Sequence, residues 1–148
     1  MLLVALVCLG LLVLTTVIHY EVLRGLSNVL PGLEIRPRAK LIVVIVAAFV
    51  AHVIEIVLYA AAIWILVRFP ALGSLGDSAR FGFDVSLYFS AETFTSLGYG
   101  DVVPGGDLRL LAGAEALNGL LLIGWSASYA YIAMERFWNG GPAVGPER

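Results

Sequence analysis

The chain has 148 residues, 60% of them hydrophobic and 14% charged, with a mean hydropathy of +0.94; that balance excludes a water-soluble domain of this length. A formal charge of −2 without a basic tract excludes nucleic acid as a partner, and the single cysteine, Cys8, excludes an intrachain disulfide or a thiolate metal cluster. The solvent is lipid, and the expected fold class is an all-α integral membrane protein.

The first apolar stretch, Met1 to Ile18, approaches the roughly 20 residues that a bilayer-spanning helix needs. No basic residue precedes it and His19-Tyr20-Glu21 is not a small-residue cleavage site, so residues 1–20 read as a permanent transmembrane helix rather than a secretory leader. A loop over residues 21–39 follows. It carries Pro31-Gly32 and Pro37, which break helices, and the basic residues Arg24, Arg36 and Arg38, with Lys40 just beyond. A second span starts near Lys40 and runs to about Phe69, where Pro70, Gly73, Gly76 and Asp77 mark an irregular loop. Basic residues collect on the cytoplasmic side of membranes. The 21–39 loop and the end carrying Arg136 and Arg148 are therefore expected inside, while the segment with Asp77, Asp84, Asp101 and Asp107 and the N-terminus are expected outside.

From Asp84 to Thr95 the sequence D-V-S-L-Y-F-S-A-E-T-F-T predicts a short amphipathic helix with Asp84 as N-cap, too short to cross a bilayer and so re-entrant. It runs into Ser96-Leu97-Gly98-Tyr99-Gly100-Asp101 and then Pro104-Gly105-Gly106, where no helix continues. The third span begins near Leu108 and includes the apolar run Leu110 to Met134. Residues 40–137 thus read as one module of outer helix, pore helix, filter loop and inner helix, and residues 138–148 as a short cytoplasmic tail. No internal repeat is present, so a ring of such units must come from several chains.

Irregular backbone at membrane depth must be buried in protein or line water, which points to a pore. A dehydrated cation needs oxygens at fixed spacing, and a strand with left-handed dihedrals at alternate residues turns its carbonyls to one axis; Gly98 and Gly100 supply those dihedrals. The Ser96 hydroxyl adds an oxygen, Leu97 and Tyr99 are expected to point away from the axis and wedge the loop against the preceding helix, and that helix aims its negative dipole end at the ion.

The stretch T-S-L-G-Y-G-D, Thr95 to Asp101, resembles the T-x-G-Y-G-D signature of potassium channels. The whole is similar to the prokaryotic pore-loop potassium channel family, in the form of three-span proteins with an extra N-terminal helix before a two-helix pore module. That resemblance implies a homotetramer passing potassium through oxygens of Thr95, Ser96, Leu97, Gly98, Tyr99 and Gly100, with no cofactor. Ser96 stands where the family usually has threonine and Leu97 where it has valine, which makes a non-selective cation channel the alternative. Glu92 occupies the position of a glutamate in the small proton-gated bacterial channels. The resemblance places it beside Asp101, where two carboxyls would share one proton; the alternative is that Glu92 satisfies a backbone amide at the end of the pore helix. Tyr88 and Phe89 match the aromatic cuff of the family, Tyr88 reaching Asp101 and Phe89 packing on Tyr99, with plain core packing as the alternative for both.

Ionisable groups inside spans need partners, and here these are His52, Glu55 and Glu115. His52 and Glu55 are three residues apart on one face, with Tyr59 a turn on, and are placed to bond one another; two such donors fall short of a metal site. Glu115 shares a face with Asn118 and is expected behind the pore helix. Gly119 is the candidate hinge, whereas Gly113 and Gly124 read as packing glycines. No arginine ladder encodes a voltage sensor. His19 is expected at the inner mouth with Glu21, Glu135 and Arg136, and His19 and Glu92 are the candidate pH-sensing groups. Trp125, Tyr129, Tyr131, Phe137 and Trp138 read as an interfacial anchor. No catalytic nucleophile or sufficient ligand set appears, so an enzyme is not expected; a non-conducting regulatory membrane subunit is the remaining alternative.

Overall fold

The computed structural model describes residues 1–76 and 82–138. Asp77, the tail after Trp138 with Arg148, and the Trp138 side chain lie outside the described residues. The described chain is helical throughout, in the order α1 (Leu2–Val29), a 3-10 turn (Leu30–Gly32), α2 (Pro37–Leu66), α3 (Phe83–Phe94) and α4 (Leu108–Trp138). Three helices are long and apolar enough to cross a membrane, and α3, with 12 residues, is not among them.

The first helix continues to Val29, past the end expected at residue 20. Val4, Cys8, Thr15, His19, Leu23 and Leu26 recur at three, four or seven residues and form one buried stripe. His19 and Tyr20 are therefore mid-helix residues rather than an interfacial end, and Pro31 ends the run, since its ring leaves no amide for another turn. After the turn, α2 starts with Pro37 at its first helical position, where the fixed φ suits the helix and a missing N–H costs nothing.

The three long helices pack against one another, and α3 sits in the cleft between α2 and α4. Two apolar cores result. One joins the first half of α1 to the second half of α2, to α3 and to the first half of α4, around Val4, Tyr59, Ile63, Phe94 and Leu111. The other joins the far half of α1 to the start of α2 and the end of α4, around Leu23, Leu26, Leu30, Val44 and Ala133. Large apolar side chains such as Leu9, Ile42, Phe49 and Leu121 face outward, as lipid rather than water requires.

The connections on either side of α3 are pinned together. Leu75 and Pro104 form an antiparallel bridge. Around it the Gly76 N–H donates to the Val103 carbonyl (2.9 Å), the Gly105 N–H to Ser74 (2.8 Å) and the Asp107 N–H to Leu72 (3.0 Å). Gly82, not Asp84, is the N-cap of α3; Asp84 lies inside the first turn, where a negative charge still complements the helix dipole.

Candidate functional site

The short helix α3 buries Ser86, Phe89, Ser90, Glu92 and Phe94 between its neighbours. Ser90 Oγ sits between the Ile56 carbonyl of α2 (2.9 Å) and Glu115 Oε1 of α4, tying α3 to both long helices. Glu115 is fully buried behind α3, as its depth in the last span predicts. The anchored helix holds the loop that follows it, residues 95–101, which is exposed along its whole length on the single chain.

Left-handed φ angles alternate along that loop: Ser96 at 57°, Gly98 at 57° and Gly100 at 80°. The two glycines take this conformation freely, whereas Ser96 pays roughly 1–2 kcal/mol for it. An alternation of this kind turns successive carbonyls toward one side. The strained serine is a feature that the motif alone does not reveal.

What holds the loop in shape is mainly Glu92. Its carbonyl accepts from the Leu97 N–H (2.8 Å) and the Gly98 N–H (3.3 Å), and its Oε2 accepts from the Tyr99 N–H (3.1 Å). Three successive loop amides thus end on one residue, and of the two sequence expectations for Glu92 the backbone-amide role is the one the geometry contains. Thr95 Oγ1 turns back onto the Ala91 carbonyl (2.7 Å). At the far end the Tyr88 hydroxyl donates to both oxygens of Asp101 (3.1 and 3.0 Å), so the expected Tyr88 contact is present. Loss of water contact and then the Asp101 carboxylate push the Tyr88 phenol up to about 12, so it stays a donor across the physiological range.

The expected wedge is not made within one chain. Leu97 is 57% exposed and Tyr99 69% exposed, because α3 spends its packing surface on α2 and α4 and offers the loop side chains no cover. Phe89 is buried in the first core instead.

The glycines also sort differently from the sequence reading. At Gly119 an added Cβ would overlap the Phe94 carbonyl and come within 2.9 Å of the Phe94 ring, so α3 and α4 approach closely here; Gly113 and Gly124 have nothing within 4 Å in the chain. One residue earlier, Asn118 Nδ2 donates to Thr15 Oγ1 of α1 (2.7 Å) and to the Tyr59 hydroxyl of α2 (3.1 Å), a three-helix polar link.

His19 is not at an inner mouth with Glu21, Glu135 and Arg136. It is fully buried, and Glu21 pairs instead with Arg24 (3.0 Å) and Glu135 with Tyr131 (3.1 Å). The reason is the register of α1, whose buried stripe carries His19 against α2. There His19 Nδ1 meets Glu55 Oε1 and His52 Nδ1 meets Glu55 Oε2, each at 2.9 Å. The His52–Glu55 bond was legible from their spacing; the third member was not. Donor atoms of the three lie within 4.8 Å of one another. A metal ion binds imidazole along the nitrogen lone pair, in the ring plane. The two rings are stacked, 5.1 Å apart at 28°, and their Nδ1 atoms each take a separate oxygen of Glu55.

Of the expected anchor, Trp125 packs against His19 with tilted rings (5.4 Å, 44°), Tyr129 bonds Ser27 (3.0 Å) and Phe137 lies under Lys40 Nζ (5.1 Å). These aromatics join α4 to α1 and α2.

Residues 40–136, from the start of α2 to the end of α4 and including the whole 95–101 loop, match the family described as ion channel. Neither the curated proteins nor the solved structures contain a match to the chain.

Proposed function

The chain belongs to the ion channel family, and from that premise we propose that it passes potassium passively through a homotetrameric pore whose filter is Thr95 to Gly100. The observation that carries this reading is the loop itself: left-handed φ at alternate residues, three amides pinned by Glu92, and an end tethered by Tyr88 and Asp101. A dehydrated cation takes a row of carbonyls only if the row is preformed, and these contacts preform it. The C-terminal end of α3 adds its negative dipole at the same point. Exposed Leu97 and Tyr99 support a ring, because side chains left open by one chain are available to the next copy. We place the protein in the cell inner membrane, with its N-terminus outside and its C-terminus in the cytoplasm, from the distribution of basic residues. Gly119, where α4 lies against Phe94 of α3, is the hinge in this reading. No chemical step is involved.

Ser96 and Leu97 favour a second reading, a non-selective cation channel, since a serine lacks the methyl that would fill its left-handed position and leucine changes the wedge beside it. The experiment that separates the readings is flux from liposomes holding the purified protein, with potassium or sodium inside. Potassium flux well above sodium flux is expected, and its loss in Gly98→Ala. That substitution meets nothing within 4 Å and acts through φ alone. Equal sodium flux selects the non-selective channel, and absence of any flux selects the regulatory subunit.

A further inference from the structure

Between the two apolar cores lies a closed ring of four polar groups drawn from three helices, with His19, Glu55 and Ser126 buried and His52 partly buried. Glu55 Oε1 meets His19 Nδ1 and Glu55 Oε2 meets His52 Nδ1. The ring closes on the far side, where Ser126 Oγ meets His19 Nε2 (3.1 Å) and His52 Nε2 (3.2 Å). Every polar atom of both imidazoles and both carboxylate oxygens is therefore used inside the ring. Its surroundings are apolar or aromatic: Trp125 of α4 lies on His19, and Phe94 of α3 lies beside His52 at 5.7 Å. The titratable members are His19 from α1 and His52 and Glu55 from α2; α4 contributes a hydroxyl. Among the described residues no lysine, arginine or second carboxylate bonds to any of them. The next titratable groups toward the outer face are Tyr59 and Glu115, which bond to Asn118 and Ser90 instead.

Counting protons decides what such a ring can be. Four hydrogen bonds need four protons. An ionised carboxylate brings none, each neutral imidazole brings one and the serine hydroxyl brings one, which makes three. With three, one contact places two lone pairs against each other and the buried ring carries a net charge of −1. One further proton fills the fourth contact and makes the ring neutral, and a neutral group is far cheaper to keep at this depth in a membrane. That proton has two equivalent descriptions, an imidazolium beside a carboxylate or a carboxylic acid beside two neutral imidazoles running head to tail. It belongs to the ring rather than to one residue.

The geometry points to His19, His52, Glu55 and Ser126 forming a one-proton binding site that ties α1 to the two long helices of the pore. With the proton bound, α1 is joined to α2 through Glu55 and to α4 through Ser126. Without it, one of the two serine contacts turns repulsive. The extra N-terminal helix, which lies outside the matched residues 40–136, is thereby given a pH-dependent grip on the module that the match covers. This site stands or falls independently of which ion the protein passes.

The chain has only two histidines, so ¹⁵N-histidine labelling reports the ring without overlap. Solid-state NMR of the full protein in liposomes at neutral pH is expected to show both Nδ1 sites engaged and one of the two Nε2 atoms protonated, with that single Nε2–H lost on raising the pH. Ser126→Ala removes the hydroxyl that needs the fourth proton, so its spectrum at neutral pH should lack the Nε2–H, while Ser126→Thr should restore it. Two unprotonated Nε2 atoms in the wild type at neutral pH overturn the proposal, as does a Ser126→Ala spectrum identical to wild type. Added zinc is expected to leave the spectrum unchanged; a zinc-induced shift of both histidines makes this a metal site and overturns the proton assignment. Should Ser126→Ala fail to fold, the wild-type Nε2 count decides alone.

Discussion

At the scale of single residues, Glu92 does two jobs with different chemistry. Its carbonyl contacts are backbone and survive any substitution, whereas its carboxylate is the acceptor for the Tyr99 N–H. Glu92→Gln keeps an acceptor oxygen and should change thermal stability in detergent by less than about 1 kcal/mol, while Glu92→Leu leaves the amide unpaired at about 1–3 kcal/mol. Equal losses in the two variants would show that charge, not the hydrogen bond, is what the loop needs. Tyr88→Phe deletes the two contacts to Asp101 at a smaller cost, because Asp101 remains open to water. Its effect belongs to the loop's far end, so potassium flux should become less sustained with little change in the unfolding midpoint. Since the Tyr88 phenol is pushed up to about 12, the wild-type contact is present below that pH and is lost as pH rises through it. Much at this scale was legible in the chain alone. Gly98 and Gly100 announce left-handed backbone by having no Cβ, and Tyr88 and Asp101 are close enough in sequence for the motif to bring them together. The left-handed Ser96 was not legible, because serine carries no local signal for that conformation.

At the scale of elements, α3 and α4 are joined by close approach and α1 by polar links. Gly119→Ala would drive a methyl into the Phe94 carbonyl, with little room to yield because α3 is also held on α2 through Ser90; a loss of about 1–3 kcal/mol is expected in thermal unfolding. Gly113→Ala and Gly124→Ala meet nothing in the chain and should gain up to about 1 kcal/mol from helix propensity. If either instead blocks assembly, that glycine faces a neighbouring copy. The Asn118 link predicts that Asn118→Leu removes the donor to both Thr15 and Tyr59, leaving Thr15 only its bond to the Leu11 carbonyl of its own helix, and loosens α1 more than it loosens α3, visible as faster hydrogen exchange confined to α1. Helix identities and the start of α4 followed from hydropathy and from Pro and Gly positions. The end of α1 did not, since a histidine read as an interfacial residue was in fact serving the interior.

At the scale of the whole molecule, the exposed loop side chains and the apolar outer surfaces are what the proposed ring would cover. A tetramer is expected by native mass measurement in mild detergent, and Tyr99→Ala should shift it toward smaller species, because the loop's open side chain is what a neighbouring copy would cover. A monomer with unaltered potassium flux would remove the ring from the account. The sequence by itself determined the solvent, the three spans, the single re-entrant segment and the alternating backbone of the loop. Those depend on composition, on length and on dihedral preferences of residues close together in the chain. Only the tertiary structure decided that His19 meets Glu55 across 36 residues, that Ser126 closes the ring, and that Gly119 rather than Gly113 or Gly124 is the point of contact. Such pairings depend on how each helix is rotated about its own axis. A slip of one residue turns a side chain by about 100°, enough to carry His19 from the core to the lipid. Nothing within α1 alone specifies that angle; the complementary faces of α2 and α4 do.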